Sequence, residues 1–295
     1  MTLPKLNVAL ISGSGHCGST LLDFMLDSHS KITGVGEVMH FYSAQYGKKV
    51  PCACGKERPA CDFWSTVKAP ELGQDQTLYA YRKPLDFVMN RNRFWTREEN
   101  GKYRIPLAQE AYLEQNENLY HAIHASAKPA VLVDSSKNVD RLNLLARSSA
   151  FQLTVIHVVR DGRGVVWSYM KKGTPFTRAL ARWVVANLKV MWISRRENVR
   201  IMRVRYEDLV HAPEATLKMI LKRWELGWEP GMLDFRAHEH HQMGGNRMRL
   251  KKNEKSTLRE DLSWKQNLTF WQKMMFGGLA GWLNLIYKYG YGLKR

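Results

Sequence analysis

Apolar residues gather along this chain in short runs that do not alternate, the pattern of strands buried on both faces of a parallel sheet. Four runs fit it: Asn7–Ser12, Ala130–Val133, Leu153–Val159 and Arg200–Val204. Helical spacing of apolar positions lies between or after them, over Ser19–Ser28, Leu107–Ala127, Arg141–Ser148, Gly164–Lys171 and Phe176–Asn198. Strands alternating with helices predict an α/β fold, a central parallel sheet flanked by helices, with a ligand at the carboxyl ends of the strands.

Residues 45–100 break the rhythm with Cys, Pro, Gly and aromatic residues, and are expected to form an insertion over that edge, on the acceptor side. No stretch is rich enough in Pro, Gly or Ser to act as a linker between domains, so residues 1–295 read as a single domain. Met274–Tyr287 is apolar but shorter than the roughly twenty residues a spanning helix needs. It reads as a packing helix, with contact to a membrane surface as the alternative. The amino terminus, MTLPKLNVALISGSG, lacks the regions of a signal peptide, which predicts a cytoplasmic protein.

Charge narrows the partners. Lys and Arg number 45 against 27 Asp and Glu, a net charge of +18, so the partners are expected to be anionic: phosphates, sulfates, nucleic acid or an acidic membrane surface. Ten Trp, twelve Tyr and ten Phe provide stacking groups, yet no helix-turn-helix, zinc-finger or RNP signature accompanies them. Nucleic acid is therefore not the expected partner, though a basic nucleic-acid-binding protein without catalysis is a rival from another class.

The first run ends in GSGHCGSTLL, residues 13–22, and a helix pattern follows. A glycine turn feeding a helix amino terminus offers backbone N–H groups and a positive dipole end to a phosphate. The spacing Gly13 to Gly18 matches G-x-x-x-x-G-K-[ST] except that Ser19 stands where the lysine belongs. Without the cation that meets the β- and γ-phosphates, a kinase or nucleotidase is the weaker reading. AVLVD, ending at Asp134, has the look of a Walker B strand, a common pattern in itself. A second anion element follows Leu153–Val159: RDGRGVVWS places Arg160 at the strand end and Ser168 eight residues on. Arg supplies a planar fork and Ser a neutral donor for a separate phosphate.

Together these residues resemble the sulfotransferases that use 3′-phosphoadenosine 5′-phosphosulfate (PAPS). The resemblance implies a P-loop-like sulfotransferase fold in which Gly15, His16, Cys17, Gly18, Ser19 and Thr20 hold the 5′-phosphosulfate, and Arg160 and Ser168 the 3′-phosphate. RYEDL at 205–209 is similar to the segment whose tyrosine lies near adenine, here Tyr206. Gly244-Gly245-Asn246 with Arg247 and Arg249 resembles a late loop that closes over the 3′-phosphate. The chain departs from the family at His16, where Lys or Arg is usual, and at Leu21, where cytosolic members carry Trp.

Sulfuryl transfer needs a base near the acceptor and positive groups near the leaving oxygen. Glu37, in GVGEVMHF, matches a glutamate of the tyrosyl-protein sulfotransferases and is the expected base, with His40 as the other candidate. Lys137, in VDSSKN, matches the lysine that family members direct at the leaving group, a task His16 shares. No divalent metal is required. The cysteine segment CACGKERPACDFW, residues 52–64, lacks a usual zinc spacing. It is expected to be a reduced loop, with zinc held by a further ligand such as His40, or a disulfide, as alternatives. The acceptor is expected to be a small, polar metabolite or natural product, with hydroxyl and amine both open.

Overall fold

The computed structural model describes residues 5–41, 50–69, 96–97, 103–104, 107–197, 199–250 and 258–289. Five parallel strands form its centre: β1 (Leu6–Ser12), β2 (Ile32–Gly36), and, after a short antiparallel pair β3 (Thr96–Arg97) and β4 (Tyr103–Arg104), β5 (Val131–Lys137), β6 (Phe151–Val159) and β7 (Ile201–Arg205). Their order is β2-β5-β1-β6-β7. The parallel sheet was the sequence expectation. All four expected strands occur, with no end shifted by more than four residues.

The fifth strand, ITGVG, escapes the apolar-run test because Thr33, Gly34 and Gly36 dilute it. Gly34 is there for space: a Cβ would meet Asp23 Oδ1 at 2.3 Å and Asp27 Cβ at 2.9 Å. β5 outlasts its apolar run because Asp134-Ser135-Ser136 stay beside β1 and β2 through register shifts, and their polar side chains find partners inside the protein.

Alternation along β1 sends successive side chains to two cores. Leu6, Val8 and Leu10 meet α2 (Leu107–Ala127), α3 (Val139–Leu145) and the carboxyl-terminal half of α5 (Phe176–Arg196). Ala9 and Ile11 meet α1 (Ser19–Asp27) and α7 (Pro213–Leu221), which follows the short α6 (Tyr206–His211). Leu22 and Met25 of α1 are fully buried, each worth roughly 1.5–3 kcal/mol by apolar burial.

A third cluster joins α4 (Gly162–Met170) to α5 and, beyond the short α8 (Trp264–Asn267), to α9 (Phe270–Ile286). Asp161 caps α4 by accepting from Arg163 N at 2.9 Å, which starts the helix two residues before the expected Gly164. Thr269 and Gln272 form a capping box at the start of α9. The packing helix expected over Met274–Tyr287 is α9, which buries Phe276, Ala280 and Leu283 and leaves Trp271, Met274 and Leu279 exposed. Among the described residues no helix is long and apolar enough to cross a membrane. Most of the stretch 45–100 lies outside the described residues; the segment 50–69 packs Cys52, Cys61 and Trp64 onto the core under β2.

Candidate functional site

The carboxyl ends of β1, β2, β5 and β6 open onto a cleft of about 970 Å³. Its floor is the loop from Gly13 into α1. Gly18 sits at φ 99°, and a Cβ there would strike the Tyr206 ring at 2.5 Å, so no other residue fits. No side chain caps α1, which leaves its first N–H groups for an anion. His16 also has positive φ, 65°, a strained conformation for a non-glycine residue. Its ring meets Tyr169 edge-on at 4.7 Å. Burial, with Lys172, Arg160, Lys137 and Lys171 nearby, lowers its pKa to about 4, so the imidazole is neutral near pH 7. Cys17 is buried beneath the loop and does not line the cleft.

Arg160 ties this floor to the cleft wall. Its Nη1 donates to His16 O at 3.0 Å, its Nη2 lies 3.9 Å from Asp261 Oδ2, and its guanidinium rests 4.5 Å from the centre of the Tyr206 ring. Ser168, on α4, also lines the cleft while donating to Gly164 O at 2.8 Å. The two anion elements found in sequence thus share one cavity, with an aromatic ring beside them.

On the opposite wall Lys137, at the end of β5 with φ 58°, donates from Nζ to Glu37 Oε1 at 2.5 Å and to Ser135 O at 3.2 Å. His40 Nε2 stands 3.4 Å from Glu37 Oε2. Burial would raise the Glu37 pKa, but His40 and Lys137 overcome it and hold it at about 2. The late loop closes this side: Asn246 N donates to Thr20 Oγ1 at 3.3 Å, and Gly245, Asn246 and Arg247 line the cleft. Arg249 does not line it. Its guanidinium donates to Gly245 O, Asn246 O and Pro51 O at 3.2–3.4 Å, fastening the loop from behind.

Asp134, the Walker-B-like residue, also turns away from the cleft. Its carboxylate accepts from Tyr120, Ser136 and Arg141 inside the protein. His40 engages Glu37 rather than the cysteines, and the residue that joins Cys52, Cys54 and Cys61 is His241. No disulfide occurs among the described residues. Sequence reasoning missed Lys171, Lys172, Arg236, Arg259 and Asp261, all of which line the cleft. Arg236 and Arg259 fall in a stretch, residues 236–260, that carries seven Lys or Arg against three Glu, a legible signal; Lys171 and Lys172 follow α4 with no motif to mark them.

Comparison with known proteins agrees with this architecture. Two solved structures are similar over nearly the whole chain. The sulfotransferase domain from the Synechococcus PCC 7002 olefin synthase is 20% identical, with 100% of this chain and 98% of that one covered at TM-score 0.52. The sulfotransferase domain from the curacin biosynthetic pathway is 20% identical, with 95% and 99% covered at TM-score 0.55. At such identity the likeness speaks for the fold. No curated protein matches the sequence. Residues 9–230 match the Sulfotransferase family. That span starts in β1 and runs beyond α7, taking in the phosphate-type loop, Glu37, Lys137, Arg160 and Tyr206, so the chain belongs to the sulfotransferase family and is a transferase.

Proposed function

We propose that this enzyme transfers the sulfuryl group of PAPS to a hydroxyl or amine of a small-molecule acceptor, a metabolite or natural product. One observation carries the donor assignment: two anion-holding elements share one cleft, joined by the 3.0 Å contact of Arg160 Nη1 with His16 O. A nucleoside bisphosphate has two separated phosphates, whereas a simple nucleotide leaves one element unused. Gly15, His16, Gly18, Ser19 and Thr20 hold the 5′-phosphosulfate, Arg160 and Ser168 the 3′-phosphate, and Tyr206 lies beside adenine. Gly245, Asn246 and Arg247 cover the donor, with Arg249 positioning their loop. The two structural neighbours, sulfotransferase domains of an olefin synthase and of the curacin biosynthetic pathway, favour a natural-product setting for the acceptor.

In the reaction the acceptor atom attacks sulfur and gives its proton to Glu37. The bond from sulfur to the bridging oxygen breaks, and 3′-phosphoadenosine 5′-phosphate leaves with that oxygen's new negative charge. Lys137 neutralises it by moving from Glu37 to the leaving oxygen. Losing its cation raises the Glu37 pKa from about 2 and makes it a better base as the reaction needs one. His16, neutral without donor, gains a proton more easily beside phosphate charge and donates to the same oxygens. These groups supply the positive charge of the transition state.

Melting of the protein tests the donor. 3′-Phosphoadenosine 5′-phosphate should stabilise it far more than AMP or ADP, by about 2.7 kcal/mol at a hundredfold excess over its Kd. Arg160→Ala should remove most of that preference. Equal shifts with all three nucleotides would remove the basis of the proposal.

A further inference from the structure

Cys52, Cys54, Cys61 and His241 come together from segments 180 residues apart, and their ligand atoms all lie within 4.8 Å of one another. The sulfurs of Cys54 and Cys61 are 3.7 Å apart and those of Cys61 and Cys52 3.6 Å apart. His241 Nδ1 is 3.3 Å from Cys61 Sγ and 3.8 Å from Cys52 Sγ. A disulfide holds its sulfurs near 2 Å. Tetrahedral zinc, with Zn–S near 2.3 Å and Zn–N near 2.0 Å, sets sulfurs about 3.8 Å apart and sulfur and nitrogen about 3.5 Å apart. The geometry points to a structural zinc site made of Cys52, Cys54, Cys61 and His241.

The surroundings fit thiolates on a metal. Backbone N–H groups of Phe63 and Trp64 point at Cys61 Sγ and that of Cys54 at Cys52 Sγ, donors suited to a charged sulfur. The three cysteines are buried. The His241 ring stacks on Phe63 at 5.5 Å, and Trp64 Nε1 donates to His241 O at 2.7 Å, which fixes the imidazole in place. All four positions carry a ligand, so the site is closed to a reacting water and is structural rather than catalytic. Binding displaces the thiol protons to solvent. The C-x-C spacing hid the site in the sequence, because the fourth ligand comes from the far end of the chain.

The site also has a task. Cys52 bridges to Met243, and Ala53 N donates to Gln242 O at 2.9 Å. Met243 in turn pairs with β2 at Gly36, and Glu37 N donates to Met243 O at 2.5 Å. Zinc therefore clamps the 52–61 loop to the strand-like segment 241–243, one residue before the glycines that close over Thr20 and Glu37. The metal holds the late loop at the cleft without touching donor or acceptor.

Elemental analysis of the full-length protein, purified under reducing conditions from zinc-supplemented medium, should give one zinc per chain. Cys61→Ser and His241→Ala should reduce it to background. If neither variant folds, wild-type protein exchanged into cobalt provides the independent readout: strong visible bands of tetrahedral cobalt with thiolate charge transfer. Stripping with a chelator should speed hydrogen exchange over residues 241–246, and added zinc should restore protection. Reduced wild-type protein that carries no zinc and takes up neither metal would overturn the site. Unchanged exchange over 241–246 after proven removal of zinc would overturn the clamp.

Discussion

Two carboxylate–cation pairs begin three residues apart on β5 and are put to opposite uses. Asp134 and Arg141 are buried, with side chains 0% and 3% exposed, and nearly every polar atom is spent. Asp134 Oδ2 accepts from Arg141 Nε at 3.0 Å and Tyr120 OH at 2.5 Å, and Oδ1 from Ser136 N at 2.8 Å. Arg141 also donates to Tyr112, Asn116 and Tyr120. Glu37 and Lys137 have side chains 19% and 16% exposed and face the cleft. Lys137 adds only a carbonyl contact and carries a strained backbone. A saturated pair has nothing left to offer a substrate; a pair with one short bond at a cavity wall can exchange partners. The first belongs to the fold, and the second is the pair on which the proposed reaction draws.

The sharpest way to break this contrast is Glu37→Gln, which keeps size and hydrogen bonding but loses proton acceptance. With a hydroxyl acceptor and chemistry rate-limiting, turnover should fall by roughly 10²–10⁴ while donor affinity stays near wild type. A near-wild-type rate would pass the base role to His40 or His16. Next comes stability. Arg141→Met should cost roughly 3–5 kcal/mol in denaturant unfolding by stranding Asp134, whereas Lys137→Met should cost less, because Glu37 keeps His40 beside it and opens onto the cleft. Comparable losses from the two substitutions would erase the distinction.

The smallest expected effect concerns His16. Its folded pKa of about 4 lies below the ordinary 6.5. The neutral form is thus preferred on folding: its contribution to stability is complete above pH 6.5 and is lost as pH falls toward 4. In the proposed complex the donor phosphates reverse the preference. Affinity for 3′-phosphoadenosine 5′-phosphate should therefore rise as pH falls from 8 to 6, by at most about tenfold per pH unit for one linked proton. His16→Gln should flatten that rise to what the ligand's own ionisation produces. Identical profiles would show that His16 takes no proton on binding.

How much of this was legible depended on whether the signal lay within one short segment. The loop at 13–20 and the Arg160–Ser168 spacing were readable because a strand end and the next helix fix their geometry locally. β2 was not, since Gly34 makes room for Asp23 and Asp27 on α1 and Gly36 for Met243, contacts made in space. The Glu37–Lys137 pair joins residues 100 apart; each stands in a short motif of its own, but nothing in the sequence joins the two. Asp134 misleads for the same reason, since only the fold reveals that Tyr120 and Arg141 already occupy it. Arg249 looks like a phosphate ligand in sequence and proves to be a loop fastening once Pro51 is beside it.

A crystal structure with saturating 3′-phosphoadenosine 5′-phosphate tests the central claim most directly. The 5′-phosphate should lie on the amides of Gly15, His16, Gly18, Ser19 and Thr20, the 3′-phosphate on Arg160 and Ser168, and adenine beside Tyr206, with Lys137 Nζ moved from Glu37 to the 5′-phosphate. A bisphosphate bound elsewhere, or a 3′-phosphate with no contact to Arg160, would contradict the account.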